Sequence, residues 1–97
     1  MTETYKYSYK IEENRLNALS VYNVGYQKCE PGYQWGPGIR DHYCIHHILS
    51  GSGYYSARQE SWHLGVGDTF ILYPGEEVHY YADQAEPWEY AWVGFMG

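Results

Sequence analysis

The chain has 97 residues, and its 12 acidic side chains against 6 lysines and arginines give a formal net charge of −6 at pH 7. This length allows one small domain with a modest core, and the acidic balance argues against a surface that binds a phosphate backbone. Aromatic residues make up 20% of the chain, and their apolar bodies with polar tips suit a pocket as well as a core. The sequence has no apolar run long enough to span a membrane and no signal-peptide pattern, so we expect a cytoplasmic protein without membrane contact.

Residues 1–18 are polar, with scattered tyrosines and no strong periodicity. We predict a flexible N-terminal arm, which is ordered only where another part of the molecule holds it. Further along the chain, Cys29 and Cys44 are expected to be free thiols, because two cysteines in a reducing compartment seldom pair.

From residue 19 onward, turns rich in glycine and proline separate short segments rich in Tyr, Val, Ile and Trp. This pattern is typical of an all-β sandwich or barrel. The predicted strands are 19–24, 26–30, 41–49, 53–57, 61–64, 69–73, 77–82 and 88–96. No internal boundary appears, so we expect one domain over residues 1–97. The ending Trp-Val-Gly-Phe-Met-Gly has no polar tail, which suggests a fragment of a longer protein.

Two adjacent histidines, His46 and His47, lie in the apolar segment Tyr-Cys-Ile-His-His-Ile-Leu. Neighbouring side chains on a strand point to opposite faces, so these two cannot both reach one metal ion. His42 shares a face with His46, but four residues along a strand separate them by roughly 13 Å, whereas a Zn–N bond is about 2 Å long. A metal site would need a ligand from another strand, and His79 is the natural partner.

Residues 67–81 contain Gly-Asp, an apolar strand, Pro-Gly and then a histidine, and residues 38–55 contain a strand that ends in Gly-Ser-Gly. These segments resemble the second and first motifs of the cupin superfamily. The resemblance implies a double-stranded β-helix, which is a jelly-roll barrel with little helix.

In metal-binding cupins, a His-x-His-x3-Glu set precedes the glycine turn of the first motif. The matching positions here hold Gly38, Arg40 and Cys44, and His79 is the one ligand position that keeps its histidine. We therefore expect no bound metal and no cofactor.

A wider set of motifs is spread over residues 21–97: Gly36-Pro37, Arg40-Asp41, His46, Gly67-Asp68, Ala82-Asp83, Pro87-Trp88 and Trp92. Together they resemble the N-terminal sensor domain of AraC-family transcription regulators, in particular those that control sugar operons in Gram-positive bacteria. In that family a cupin barrel binds a small effector, usually a sugar, a helical linker dimerises, and two helix-turn-helix motifs bind DNA. The resemblance implies a non-catalytic sensor of a mono- or oligosaccharide that forms a homodimer. DNA would be bound only through a C-terminal helix-turn-helix domain, which is absent from this chain.

Side-chain alternation assigns the faces of the segment around the two histidines. The inward set is Arg40, His42, Cys44, His46 and Ile48, and the outward set is Tyr43, Ile45, His47 and Leu49. The outward set is too apolar to face water comfortably. We expect the second sheet, a partner chain or helices beyond this chain to cover it, and we expect the fragment to self-associate.

The predicted ligand-binding residues combine aromatic rings with imidazole and guanidinium groups: Arg40, His46, His79, Tyr81, Tyr90 and Trp92. The short turn between 77–82 and 88–96 predicts that these strands pair, which would place Tyr81, Tyr90 and Trp92 around one volume. By resemblance, the aromatic residues that contact the sugar fall at the same three positions. Rings that stack on sugar C–H groups, with polar groups at the rim, suit a neutral polyol.

Other interpretations stay open. Trp88 and Trp92 could be core residues, and His46 could be a hydrogen-bonded core histidine. A stand-alone metal-dependent cupin enzyme, an isomerase or dioxygenase with a metal at His46 and His79, is the main alternative function. A carbohydrate-binding module with exposed aromatic residues is another, whereas nucleophilic catalysis has no supporting motif.

Overall fold

The computed structural model describes residues 4–10 and 20–96, which form β-strands and no helix. The strands are β1 (Tyr5–Lys10), β2 (Ser20–Lys28), β3 (Gln34–Ile39), β4 (Tyr43–Ser50), β5 (Ser52–Ala57), β6 (Glu60–Gly65), β7 (Thr69–Leu72), β8 (Glu77–Ala82) and β9 (Glu89–Met96). They make a five-stranded sheet in the order β1-β2-β9-β4-β7 and a four-stranded sheet in the order β3-β8-β5-β6. All pairings between these strands are antiparallel, and the predicted all-β class is confirmed. Over the described residues, no helix is present that could cross a membrane.

Six predicted strands, from 41–49 to 88–96, correspond to β4 through β9. The predicted break at Gly25 is absent, because Gly25 pairs with Trp92 and β2 runs through it. Residues 5–10, predicted to be part of a flexible arm, instead form β1, which pairs along β2 from Tyr5↔Lys28 to Lys10↔Asn23. The rest of the predicted arm, residues 1–3 and 11–18, lies outside the described residues.

Strand β3 was not predicted, because Gly36-Pro37-Gly38 has the composition of a turn. The register of β3 against β8 shifts between Trp35 and Gly38, which is where the proline is accommodated. Proline is tolerated at such irregularities and on edge strands, and β3 is the edge of its sheet.

The predicted pairing of 77–82 with 88–96 is wrong, since β8 and β9 lie in different sheets. The connection between them is fastened to the start of β5. Ser52 N–H donates to Glu86 O at 2.8 Å, and Asp83 N–H donates to Ser52 O at 3.0 Å. The Asp83 carboxylate also accepts the backbone N–H groups of Ala85 and Glu86. These bonds shape a connection that crosses from one sheet to the other.

The core lies between the two sheets and is mainly aromatic. Trp88, with 0% of its surface exposed, stacks on Phe70 at 5.5 Å between ring centroids and meets Tyr90 edge to face at 5.8 Å. A Cβ at Gly53 would collide with the Trp88 indole, so glycine is required where β5 crosses this ring. Trp88 is therefore a core residue, as one of the two predicted alternatives had it.

The outer face of the five-stranded sheet carries an apolar row in register across four strands: Val24, Val93, Ile45 and Ile71. Val93 is 39% exposed and Ile71 is 36% exposed. The predicted inward and outward sets of β4 are confirmed, because His42, Cys44, His46 and Ile48 are buried and the alternate positions are not. The second sheet therefore does not cover the outward set, and self-association stays a prediction.

Candidate functional site

A cavity of about 180 Å³ lies between the two sheets. Its walls combine aromatic rings with cationic and neutral polar groups from both sheets: Lys6, Asn23, Gln27, Tyr33, Trp35, Arg40, His42, Cys44, His46, Tyr80, Tyr90 and Trp92. As far as the structure describes the chain, no aspartate or glutamate lines this space. We call this space the inner cavity.

Four of the six predicted ligand-binding residues line the inner cavity: Arg40, His46, Tyr90 and Trp92. The pairing of β4 with β9 brings three of them together, because His46 lies opposite Trp92 and Ile48 lies opposite Tyr90. Residues two apart on a strand point to the same face of the sheet. The side chains of His46, Tyr90 and Trp92 therefore share the face that lines the cavity. Their contact with a ligand stays a prediction.

The other two predicted residues, His79 and Tyr81, lie on the outer face of the four-stranded sheet, so their placement in the barrel interior is wrong. His79 Nε2 lies 2.9 Å from Gln34 Oε1, and Tyr81 stacks on Tyr54 with ring centroids 5.0 Å apart. The buried positions of β8 are Val78, Tyr80 and Ala82. The alternation of these three apolar residues in the sequence was the signal that predicts the buried face of β8. Because Tyr81 follows Tyr80 directly, each face carries a tyrosine, and the signal was concealed.

His46 lies at the centre of the aromatic wall and is 2% exposed. Its ring stacks on Phe70 at 4.7 Å between centroids and meets Tyr90 edge to face at 4.8 Å. Burial, with a smaller effect from the nearby charge of Arg40, lowers the pKa of His46 to about 3. The imidazole is therefore neutral at pH 7 and offers one donor and one acceptor nitrogen.

Arg40 follows β3 and supplies a cation at the cavity wall. Its guanidinium carbon lies 4.1 Å from the centroid of Trp35, and Nη2 donates to the hydroxyl oxygen of Tyr80 at 3.3 Å. Burial is the main reason that the pKa of Tyr80 rises to about 12, so this phenol is neutral. A guanidinium without a carboxylate in its cavity is costly to bury unless a polar partner reaches it.

Three buried polar atoms around the inner cavity have no hydrogen-bond partner within the part of the chain that the structure describes: Asn23 Oδ1, Arg40 Nε and His46 Nδ1. Unpaired buried polar atoms are rare in folded proteins, and each costs free energy. Their convergence on one space is the arrangement that a polar ligand would satisfy. Because this observation concerns Nδ1 alone, the choice between a ligand contact and a hydrogen-bonded core histidine for His46 stays open.

The wall nearest the N-terminus comes from β1 and β2. Lys6 Nζ lies 5.6 Å from the centroid of a Trp92 ring, and the Tyr90 hydroxyl donates to Gln27 Oε1 at 3.4 Å. Sequence reasoning missed six cavity residues: Lys6, Asn23, Gln27, Tyr33, Trp35 and Tyr80. Strands β1 and β3 were not predicted, no inward face was assigned to the segments that form β2, and the wrong face of β8 was chosen.

The two cysteines are both free, as predicted, and both are buried. Cys44 lines the inner cavity, and burial raises the pKa of both thiols to about 11. Both are therefore protonated at neutral pH and poor nucleophiles.

The histidines proposed for the alternative metal site cannot share an ion, because His46 lies in the interior and His79 lies on the outer face of a sheet. Across residues 4–10 and 20–96, no group of three or more His, Cys, Asp or Glu side chains is arranged to hold a metal ion.

Comparison with known proteins gives consistent family matches. The family model described as AraC-like ligand binding domain matches residues 20–97. The Msm operon regulatory protein of Streptococcus mutans is 46% identical over 79 residues, which is 81% of this chain and 28% of that protein. The raffinose operon transcriptional regulatory protein RafR of Pediococcus pentosaceus is 38% identical over 89 residues, which is 90% of this chain and 32% of that protein. The chain thus spans about a third of the length of these relatives.

Solved structures with the same fold are more distant in sequence. A Cupin 2 conserved barrel domain protein from Salinispora arenicola matches with a TM-score of 0.72 at 14% identity, over 97% of this chain and 76% of that chain. A cupin protein from Bacteroides fragilis matches with a TM-score of 0.66 at 17% identity, over 92% and 85%. The predicted cupin fold is confirmed.

Proposed function

The chain belongs to the AraC-like ligand-binding domain family, and we propose that it senses a sugar effector held in the inner cavity, as the non-catalytic sensor of a transcription regulator. The observation that carries this proposal is the convergence of three unpaired buried polar atoms on one aromatic-walled cavity. The operon regulators among its relatives support a sugar as the effector.

The chemistry of the cavity suits a neutral polyol. Asn23 Oδ1 accepts, Arg40 Nε donates, and His46 Nδ1 does one or the other according to its tautomer. A sugar hydroxyl both donates and accepts, so one ring with several hydroxyls can satisfy all three atoms. The indole of Trp92 offers an apolar surface for the C–H groups of the same ring.

Regulation would work through β1, because Lys6 lines the cavity and lies over Trp92. A ligand that contacts Lys6 favours the conformation in which β1 pairs with β2, and so shifts the equilibrium between arm positions. We further propose that DNA is bound through a domain beyond this chain, that the regulator is a cytoplasmic homodimer, and that the apolar outer row contributes to assembly. The greater length of the relatives and the exposure of that row support these points.

A thermal-shift screen against mono- and oligosaccharides, with and without EDTA, tests the sensing function. A cognate sugar at 100 times its Kd is expected to raise Tm by roughly 10–20 °C, because it adds about 2.7 kcal/mol to a small domain. EDTA should leave the shift unchanged. Arg40→Met should lower sugar affinity by about tenfold or more, since it removes a charged donor.

Arg58→Met is the matched control, because the Arg58 guanidinium is exposed and bonds Glu76 at 2.7 Å, away from the inner cavity. It should keep the full ligand shift. The proposal is wrong if no sugar raises Tm, or if Arg40→Met binds as tightly as the parent. A Tm that falls on chelation would instead support a metal-dependent cupin.

A further inference from the structure

A second compartment adjoins the inner cavity. It has a volume of about 330 Å³ and is lined by Thr4, Lys6, Gln27, Lys28, Glu30 and Tyr33. Lys6, Gln27 and Tyr33 line both spaces, so they form a common boundary. We call the second space the outer cleft.

The two compartments differ in size and in chemistry. The inner cavity, at about 180 Å³, is smaller than the roughly 300–1,000 Å³ typical of ligand pockets, whereas the two spaces together reach that range. Five of the twelve residues that line the inner cavity are tyrosine or tryptophan. Among the described residues that line the outer cleft, Tyr33 is the one aromatic side chain and the others are polar. Of the residues in 4–10 and 20–96, Glu30 is the one carboxylate that lines either space.

We propose that the effector is an oligosaccharide of at least two rings, with its terminal ring in the inner cavity and its second ring in the outer cleft. This assignment rests on the proposed sugar-sensing function. The inner cavity, which is smaller than a typical ligand pocket, would take one ring against its stacking surfaces and unpaired polar atoms. The outer cleft offers Glu30 and Lys28 as an acceptor and a donor for the hydroxyls of the next ring.

The boundary residues are held in place by the fold. Tyr33 N–H donates to Glu30 O at 3.0 Å, and Tyr33 O accepts the Ala82 N–H at 2.8 Å. These bonds fasten the turn that carries Glu30 and Tyr33 to the end of β8. On the opposite wall, the Tyr90 hydroxyl bonds the Gln27 amide, so a residue of the inner wall positions a residue of the boundary.

The test compares each monosaccharide with disaccharides that carry it as the terminal ring: galactose with melibiose and lactose, and glucose with maltose. Isothermal titration calorimetry should give a cognate disaccharide a Kd about tenfold or more below that of its terminal monosaccharide. Glu30→Gln should raise the disaccharide Kd by about tenfold, because it removes a charged acceptor, and should leave the monosaccharide Kd unchanged.

Glu77→Gln is the matched control, because Glu77 is an exposed carboxylate on β8 that lines neither compartment. It should change neither Kd. A monosaccharide that binds as tightly as its disaccharide, or a Glu30→Gln variant with an unchanged disaccharide Kd, overturns the two-ring assignment and leaves the sensing function standing. Absence of binding by every sugar overturns both.

Discussion

Replacing Trp88 with alanine is expected to lower the free energy of unfolding by about 3–5 kcal/mol, as truncation of a buried tryptophan typically does. Trp88 is fully buried and stacks on Phe70, and β5 carries glycine at position 53 because the indole occupies the space of a side chain. No neighbour can refill that volume without backbone movement. The whole domain is expected to have about 5–15 kcal/mol of stability, so the variant should be partly unfolded near physiological temperature.

Urea unfolding followed by tryptophan fluorescence and circular dichroism measures this loss. Trp62→Ala is the control of equal side-chain size, because Trp62 is only half-buried and stacks on Tyr55 at the margin of the core. It should cost about half as much or less, since less area leaves water on folding. Equal losses for the two variants would mean that the ring at position 88 does not organise the core.

The strands that could be predicted are those in which alternation is strong and turns are clear. In β4, buried Cys44, His46 and Ile48 alternate with more exposed neighbours, and the two faces follow directly from the period of two. Because β9 has the same pattern and pairs with β4, the prediction located one wall of the cavity correctly.

The opposite wall could not be predicted in this way. In β8, Tyr80 and Tyr81 are adjacent, so either face offers an aromatic residue, and the histidine of the cupin motif favoured the wrong one. The deciding information is the long-range pairing of β8 with β3 and β5, which no local pattern contains. Strand β3 itself is concealed by a proline that a register shift accommodates.

The N-terminal wall depends on pairing between distant segments as well. In residues 5–10 a tyrosine at every second position alternates with lysine or serine. This period of two indicates a strand, and the prediction of a flexible arm overlooked it. β1 is an edge strand, and one of its sides has no neighbouring strand in the described residues. Its position follows from the backbone hydrogen bonds that β2 offers. The pairing with β2 brings Lys6 to the cavity wall, and the alternation within residues 5–10 does not by itself identify that partner strand.

Acidification from pH 6.5 to 4.5 is expected to lower the free energy of unfolding by about 2–3 kcal/mol through His46 alone, at about 1.4 kcal/mol per pH unit. The pKa of His46 is about 3 in the folded protein, against roughly 6.5 in an unfolded chain. Between these values the unfolded state binds one more proton, so falling pH favours unfolding. The contribution is fully present above pH 6.5 and is lost progressively towards pH 3.

His46→Phe isolates this contribution, because phenylalanine keeps the stacking on Phe70 and the contact with Tyr90 and has no titrating group. Urea unfolding at pH 4.5, 5.5, 6.5 and 7.5 should give a flatter pH profile for the variant. The pKa of Asp41 is lowered mainly by its hydrogen bond to His42, and that of Asp83 mainly by hydrogen bonds from backbone N–H groups. Both carboxylates titrate in the parent and in the variant, so their contributions cancel in the difference between the two profiles.

The His46→Phe variant also distinguishes an effect on sugar binding from an effect on the free energy of unfolding. At pH 7 the free energy of unfolding of His46→Phe should be equal to that of the parent or up to about 1 kcal/mol higher, because a buried unpaired nitrogen is replaced by an apolar ring. Its sugar affinity should fall by about tenfold or more, since that nitrogen is one of the three atoms proposed to bind the effector. A variant that is less stable at pH 7 and binds sugar normally would mean that His46 is a core residue and that the effector lies elsewhere.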